Sequence, residues 1–344
     1  MSKFINEIKI QAKKYPQTIV LADGLEARTI KAANIIIKQK IAKLILLGNR
    51  DQILKLSPLL DHPNVQIIDP ENNQYSQRLS QKLFELRQHK GLILTEAQKL
   101  VKNPYYLATL LVYEKLADGS VGGANQPSSE ILRPALQILK TSTSASTFFI
   151  MSVPKSKLGL NGNFLFADCS LNINPSAQDL AQIAIDSADS FKFIFKKKAK
   201  VALISYSTHG SGKGESVDKI LLAKNIVQNQ RPDIIIDGDL QVDAAIVPLV
   251  SQLKSPNSKL KGQANVLIFP DLNSANIAYK LTQRLANAQA IGPIFQGISR
   301  PINDLSRGCT VQDIVDIVVV TCLQSHRQLT INTIAKIIAV PIQV

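Results

Sequence analysis

The run Arg300-Pro301-Ile302-Asn303-Asp304-Leu305-Ser306-Arg307-Gly308-Cys309-Thr310-Val311-Gln312-Asp313 is the densest group of chemically capable side chains in the sequence. Ser306, Arg307 and Asp313 stand within eight residues. They supply a hydroxyl that can donate to an oxyanion, a guanidinium that can neutralise phosphate and a carboxylate that can accept a proton. Asp313 has a second reading, because Thr310-Val311-Gln312-Asp313 also has the form of a helix cap with an acid at the third helical position. Spacing alone favours the cap. The two roles can coexist, although capping bonds lower the pKa of the carboxyl and weaken it as a base. Ser306 has no His or Lys in local sequence to activate it, and the four histidines are His62, His89, His209 and His326. It therefore reads as a hydrogen-bond donor rather than a nucleophile. Cys309, alone beside apolar positions, reads first as a small buried residue.

Ser207-Thr208-His209-Gly210-Ser211-Gly212-Lys213-Gly214 forms a Gly/Ser-rich loop between a predicted strand and a predicted helix, the context of a phosphate loop. Its spacing does not fit one. A Walker loop has Gly five residues before the Gly-Lys pair and Ser or Thr after it, and here Ser207 and Gly214 occupy those places. A flexible or anion-contacting loop is the reading that remains, and no G-x-G-x-x-G follows the first strand. Arg28, Arg87, Arg133 and Arg307 stand near the ends of predicted elements. Each alone is most simply a surface cation. Together they suit a polyphosphate, since guanidinium forks bind phosphate oxygens bidentately.

The elements that must position these groups alternate between strand-like apolar runs and helical patterns, the signature of parallel sheets covered by helices. The fold class is α/β. Strands are expected at Thr18 to Ala22, Lys43 to Leu47, Val65 to Ile68, Phe148 to Ser152, Phe164 to Asp168, Val201 to Ser205, Ile234 to Asp237 and Ala264 to Phe269. Helices are expected at Glu26 to Lys40, at Ser176 to Phe195 with Ser176 and Asp179 as a capping pair, and at Val311 to Cys322. A chain of 344 residues accommodates two such lobes. The Thr141 to Thr147 run marks one boundary and Gln296 to Pro301 a second. The helix at Val311 is too short to be a domain and should pack back on the first lobe, giving 1–143 with 298–344 as one lobe and 144–297 as the other. Residues 296–310 would then lie in the cleft between lobes. The tail from Gln324 to Val344 reads as an amphipathic addition.

Composition narrows the function classes. Apolar residues make up 45% of the chain but aromatics only 5%, with no Trp, and no apolar run is long enough to span a bilayer. No signal-peptide pattern opens the sequence. Cys169, Cys309 and Cys322 are an odd number at wide spacing and suit neither a disulfide framework nor a metal site. A cytoplasmic protein with free thiols is expected. The formal net charge of +14 calls for an anionic partner without choosing among nucleic acid, membrane surface and a polyanionic small molecule.

Several ordered motifs extend beyond local chemistry. Leu21-Ala22-Asp23-Gly24-Leu25-Glu26-Ala27-Arg28, Glu85-Leu86-Arg87-Gln88-His89-Lys90-Gly91 and the glycine-rich turn Ala117-Asp118-Gly119-Ser120-Val121-Gly122-Gly123-Ala124 are three of them. Leu132-Arg133-Pro134-Ala135-Leu136-Gln137, Asp237-Gly238-Asp239-Leu240-Gln241-Val242-Asp243, Ala290-Ile291-Gly292-Pro293-Ile294 and Asn303-Asp304-Leu305-Ser306-Arg307-Gly308-Cys309 follow. In this order, and to about residue 323, the sequence resembles the phosphate acetyltransferase family. The resemblance implies two three-layer α/β lobes with largely parallel sheets and an interlobe cleft, of the kind shared with isocitrate and isopropylmalate dehydrogenases. It implies reversible transfer of acetyl between coenzyme A and inorganic phosphate, with acetyl-CoA a substrate and no tightly bound cofactor or metal, in a homodimer. By the same resemblance Asp313 would deprotonate the thiol and Ser306 would donate to the acyl group. Arg307 would hold phosphate, and Arg28, Arg87 and Arg133 would contact anion or coenzyme. The family's hydroxyl five residues before Arg133 survives as Ser128.

Departures fall at Gly122 and Gln126, where the family commonly has serine and histidine, and in the Ser207–Gly214 loop. They bear on substrate preference and rate more than on the reaction. Two other readings stay open. A phosphate butyryltransferase would use the same residues with a wider acyl pocket, and a nucleic-acid binder would explain the charge, though no recognition-helix or stacking motif is present.

Overall fold

The computed structural model describes residues 3–139 and 141–338, with side chains over 4–139 and 144–327. Two compact units divide the chain, one built from 3–141 with the described part of 298–344, the other from 142–297. The first runs α1 (Lys3–Lys14), β1 (Thr18–Leu21), α2 (Ala27–Lys38), β2 (Lys43–Leu47), α3 (Arg50–Leu56), β3 (Val65–Ile68), α4 (Ser76–Arg87), α5 (Leu94–Leu100), α6 (Pro104–Tyr113), β4 (Gly119–Gly122) and α7 (Ser128–Ile138). The second runs β5 (Thr141–Ser152), α8 (Leu158–Asn161), β6 (Asn163–Ala167), α9 (Ala177–Phe195), β7 (Lys200–Ile204), α10 (Glu215–Gln230) and β8 (Ile235–Leu240). It continues through α11 (Val242–Ile246), α12 (Pro248–Lys254), β9 (Val266–Ile268), α13 (Leu272–Leu285) and β10 (Gln289–Ile298). The chain then returns to the first unit as β11 (Ile302–Asp304) and α14 (Val311–Ile338).

The first sheet has the order β11-β4-β1-β2-β3, and all its pairings are parallel. Parallel strands bury both faces, so their residues divide by alternation. Val20, Ala22, Ile45 and Leu47 join one core with Leu79 and Leu83 of α4, Tyr105 and Leu110 of α6 and Ile131 of α7. The alternate residues Ile19, Leu21, Leu44 and Leu46 are equally buried and serve the other face, where α2 and α14 pack. The result is helix, sheet, helix in three layers.

Three sequence expectations change. The stretch Gly119–Gly122, which reads as a turn, is β4, a fully buried central strand. Its glycines answer to space rather than to strand propensity. A Cβ at Gly119 would stand 2.6 Å from Thr321 Cγ2 of α14, and one at Gly122 would stand 2.9 Å from Ala22 Cβ. The Thr141 to Thr147 run, although linker-like in composition, is the first half of β5. The last helix does not stop at Cys322 but continues to Ile338. No Gly or Pro lies in that span to end it. The Ser325 hydroxyl donates to Asp118 O at 2.9 Å, and His326 stacks on Tyr15 of the α1–β1 turn with ring centroids 4.0 Å apart. The segment from Gln324 is thus helix to Ile338, and residues 339–344 lie outside those described.

The second sheet has the order β10-β5-β6-β9-β7-β8, with β6, β9, β7 and β8 parallel and β5 antiparallel to β6. The Ser176–Asp179 pair is a reciprocal cap at the start of α9: Asp179 N–H donates to Ser176 Oγ at 3.2 Å and Ser176 N–H to Asp179 Oδ2 at 3.1 Å. The Ser207–Gly214 loop is held by its own bonds. Gly212 N–H donates to Ser207 Oγ at 2.9 Å, and Tyr206 OH reaches Lys213 O at 2.8 Å. No described helix is long and apolar enough to cross a membrane.

Candidate active site

All seven residues singled out in the sequence belong to the first unit, and Arg28, Ser306, Arg307 and Asp313 follow β1 and β11 at the carboxyl edge of its sheet. Such edges are where parallel α/β sheets bind ligands. The edge is tied together by two side chains. Asp23, following β1, accepts from Gly123 N–H at 2.7 Å and Ala124 N–H at 3.0 Å through Oδ2, and from the Tyr105 hydroxyl through Oδ1. The ends of β1, β4 and α6 are thereby pinned to one carboxylate. The chain can turn there because Gly24 lies against Leu47 O, which a Cβ would approach to 2.3 Å.

Arg28 is the second tie. Its Nε donates to Glu26 Oε1 at 2.7 Å, its Nη1 to Arg307 O and Cys309 O at 2.9 Å each, and its Nη2 to Ala124 O at 2.7 Å. The hydrogen bond to Glu26 raises the guanidinium pKa further. Burial pushes Glu26 up, yet its bonds and proximity to Arg28 hold it below the usual value. Arg28 is therefore a clamp on the turn that carries Ser306 and Arg307, and most of its donors already face backbone carbonyls.

That turn runs from Ser306 to Cys309, closed by Cys309 N–H donating to Ser306 O at 2.8 Å, with Gly308 N–H on Ser306 Oγ at 3.3 Å. Ser306 and Arg307 are exposed, and the Arg307 side chain has no hydrogen bond or ion pair among the described residues. Cys309 is buried beneath them. Burial raises its thiol pKa, the Arg28 charge opposes this, and its Sγ accepts from Arg28 Nη1 at 3.7 Å. Asp313 forms the cap that its spacing favours. Its Oδ2 accepts from Thr310 N–H at 2.8 Å and from Thr310 Oγ1 at 2.9 Å, while Asp313 N–H donates to Thr310 Oγ1 at 3.2 Å.

Ser128, Arg133 and Arg87 occupy neighbouring elements. Ser128 opens α7 and faces the Asp304 carboxyl outside hydrogen-bond geometry. Arg133, one turn and a half along α7, is exposed and 3.7 Å from Glu130 Oε1. Arg87 closes α4. Burial raises the Tyr106 phenol pKa, and the charges of Arg133 and Arg87 both oppose that rise, so the two guanidinia stand around one tyrosine of α6. The structure thus forms two groups: Arg28 with Ser306, Arg307 and Asp313, and Arg87 with Arg133. A cleft of about 950 Å³ adjoins them at the ends of β1, β2 and β3, lined by Asp23, Gly48, Asn49, Tyr105, Gln126 and Glu130 among others. The departure Gln126 belongs to its wall.

Three participants carried no role in the sequence reading: Asp23, Tyr105 and Asp304. An Asp after a strand looks like an ordinary turn former, and only the depth of burial of Asp304 distinguishes it.

The family model described as phosphate acetyl/butaryl transferase matches residues 3–322. A phosphate acetyltransferase of Thermoanaerobacterium thermosaccharolyticum is 48% identical over 325 residues, covering 94% of this chain and 99% of its own. One of Acetivibrio thermocellus is 46% identical, covering 94% and 98%. A solved phosphotransacetylase from Streptococcus pyogenes superposes with a TM-score of 0.88 at 36% identity, covering 95% of this chain and 100% of that one.

Proposed function

This chain belongs to the phosphate acetyl/butaryl transferase family, and we infer from that membership and the site's geometry that it moves acetyl between coenzyme A and inorganic phosphate. One observation carries the reading. Arg28 fastens the Ser306–Cys309 turn by its carbonyls, and this leaves the Ser306 hydroxyl and the Arg307 guanidinium outward, with no partner for the Arg307 side chain among the described residues. A cation held ready in this way suits an incoming or departing phosphate.

The transfer is a direct displacement in a ternary complex. Asp313 takes the coenzyme A thiol proton, and the sulfur attacks the carbonyl of acetyl phosphate. The carbon–sulfur bond forms as the carbon–oxygen bond breaks, and phosphate leaves with the electron pair, held by Arg307 while Ser306 donates to the acyl oxygen. Arg87 and Arg133 take coenzyme phosphates. The adjoining cleft, rich in carboxylates, is suited to the uncharged pantetheine arm instead, and its volume falls within the usual range for ligand sites. Coenzyme A is substrate, and neither a bound cofactor nor a metal is part of the scheme.

The protein acts as a homodimer in the cytoplasm. Buried free Cys169, Cys309 and Cys322 suit a reducing compartment, and α13 of the second unit carries an exposed apolar stripe that a second copy would cover.

Thiol release from acetyl-CoA, followed with and without phosphate, tests the activity. Phosphate-dependent release is expected, faster than from butyryl-CoA. No release under either condition would sink the reading, and a preference for butyryl would move it to the wider-pocket enzyme.

A further inference from the structure

One buried carboxyl group has no part in the scheme above and stands directly upstream of the Ser306–Arg307 turn. Asp304 closes β11, is 1% exposed, and neither of its carboxyl oxygens has a hydrogen-bond partner among the described residues. The elements packed round it leave little room. At the end of β4, Gly123 lies so close that a Cβ there would stand 2.3 Å from Asp304 Oδ1 and 2.9 Å from Ile131 Cδ1 of α7. Ser128 of α7 is the nearby hydroxyl, and α14 meets β11 through Thr321 and Gln324, which accept from the preceding Asn303.

The titratable groups facing the pocket are Asp23 after β1 and Tyr105 of α6, already bonded to each other, with Glu130 of α7 beyond. Asp304 forms no ion pair among the described residues. An ionised carboxylate in such a place is costly, which favours the protonated form. Burial pushes its pKa up to about 7, with Asp23 adding to the rise and the Ser128 hydroxyl and Leu305 N–H opposing it.

We propose that Asp304 is a positioning residue for the acyl transfer that works as the neutral acid, seating the end of β11 against Gly123 and Ser128 and so placing the Ser306–Arg307 turn. The covalent path is short, since Ser306 follows by two residues and the intervening Leu305 N–H is bonded to Gly122 O at 2.8 Å. Loss of the proton sets a second negative charge beside Asp23. The strand end then yields, and the turn it carries loses its placement. The proposal rests on the acyl-transfer reading.

Its test compares Asp304→Asn, neutral and nearly isosteric, with the wild type in kcat/KM for acetyl-CoA and phosphate across pH 6 to 9. Effects on the thiol and on phosphate are common to both proteins and cancel in the ratio. For a group titrating near neutrality, the variant-to-wild-type ratio is expected to rise about tenfold between about pH 6 and about pH 8. A flat ratio overturns the proposal, since the proton would then be irrelevant. So does a ratio that falls with pH, which would make the ionised form the working one. If Asp304→Asn does not fold, Asp304→Ser supplies the same ratio; if neither neutral variant folds, the site demands an ionisable group and the proposal fails. A wild type without transfer activity removes the acyl-transfer reading and this proposal together, whereas an active wild type with a flat ratio removes only the proposal.

Discussion

The Asp313 carboxylate gives Oδ2 to the backbone and hydroxyl of Thr310, leaving Oδ1 outside those bonds. Those bonds fix where the carboxylate stands at the start of α14. A thiol near pKa 8.5 is mostly protonated at neutral pH, and a nearby cation such as Arg307 favours its thiolate. Asparagine separates the two roles, because its carbonyl oxygen can still accept the capping bonds. Asp313→Asn should lower kcat by roughly 10²-fold to 10⁴-fold with KM for acetyl-CoA little altered. Its unfolding free energy should change by less than about 1 kcal/mol. Steady-state kinetics beside a denaturant titration measures both, and an unchanged kcat would leave Asp313 as a cap alone. Its cap was legible from Thr310 and the three-residue spacing. The clamp at Arg28 was not, because its carbonyl partners lie 279, 281 and 96 residues away in the chain and no local pattern joins them.

At the scale of elements, α14 presents Asp313 in its first turn and is fixed one turn further along. Lys9 of α1 meets Asp316 at 3.0 Å with both side chains buried, and Gln312 Nε2 donates to the same carboxylate at 2.7 Å. Burial raises the Asp316 pKa and Lys9 holds the rise back. Lys9→Met would leave the charge inside the protein without this cation, at an expected cost of about 3 kcal/mol, near the low end for a broken buried pair because Gln312 remains. Lys9→Met with Asp316→Leu should recover most of that loss, since an apolar pair of similar volume needs no desolvation of charge. Equal stability of the two variants in chemical denaturation would show that the ion pair does not fix α14. Regular elements such as β2 and β3 were legible to the residue, β2 because its apolar run stops at Gly48-Asn49 and β3 because its short apolar run stops at Asp69-Pro70. By contrast β4 was not, since its composition is set by contacts with α14 and β1 from distant parts of the chain. The length of α14 was equally hidden: the apolar run ends near Cys322, but the helix continues where Ser325 and His326 find partners on the body of the unit.

For the whole molecule, alternating strands and helices were enough to indicate α/β architecture, since each parallel pairing requires a crossover that a helix covers. The proposed self-association has a fainter trace, an apolar stripe on α13. Ala275 and Tyr279 bury one side of that helix, while Ile277, Leu281 and Leu285, at four-residue spacing, are 56%, 52% and 80% exposed. Three large aliphatic groups aligned in water are costly singly and favourable when covered, and a two-fold axis would cover each stripe with its own copy. Leu281, at the centre, is the position to charge. Leu281→Asp should weaken self-association at least about 100-fold, because a carboxylate on each protomer would be buried against its symmetry mate. Folding stability of the protomer should move by no more than about 0.5 kcal/mol, since over half of that side chain already faces solvent. Light scattering behind gel filtration at micromolar protein reads the mass of both forms. A wild type that runs as a monomer, or a Leu281→Asp variant that remains a dimer, removes α13 as the dimer surface.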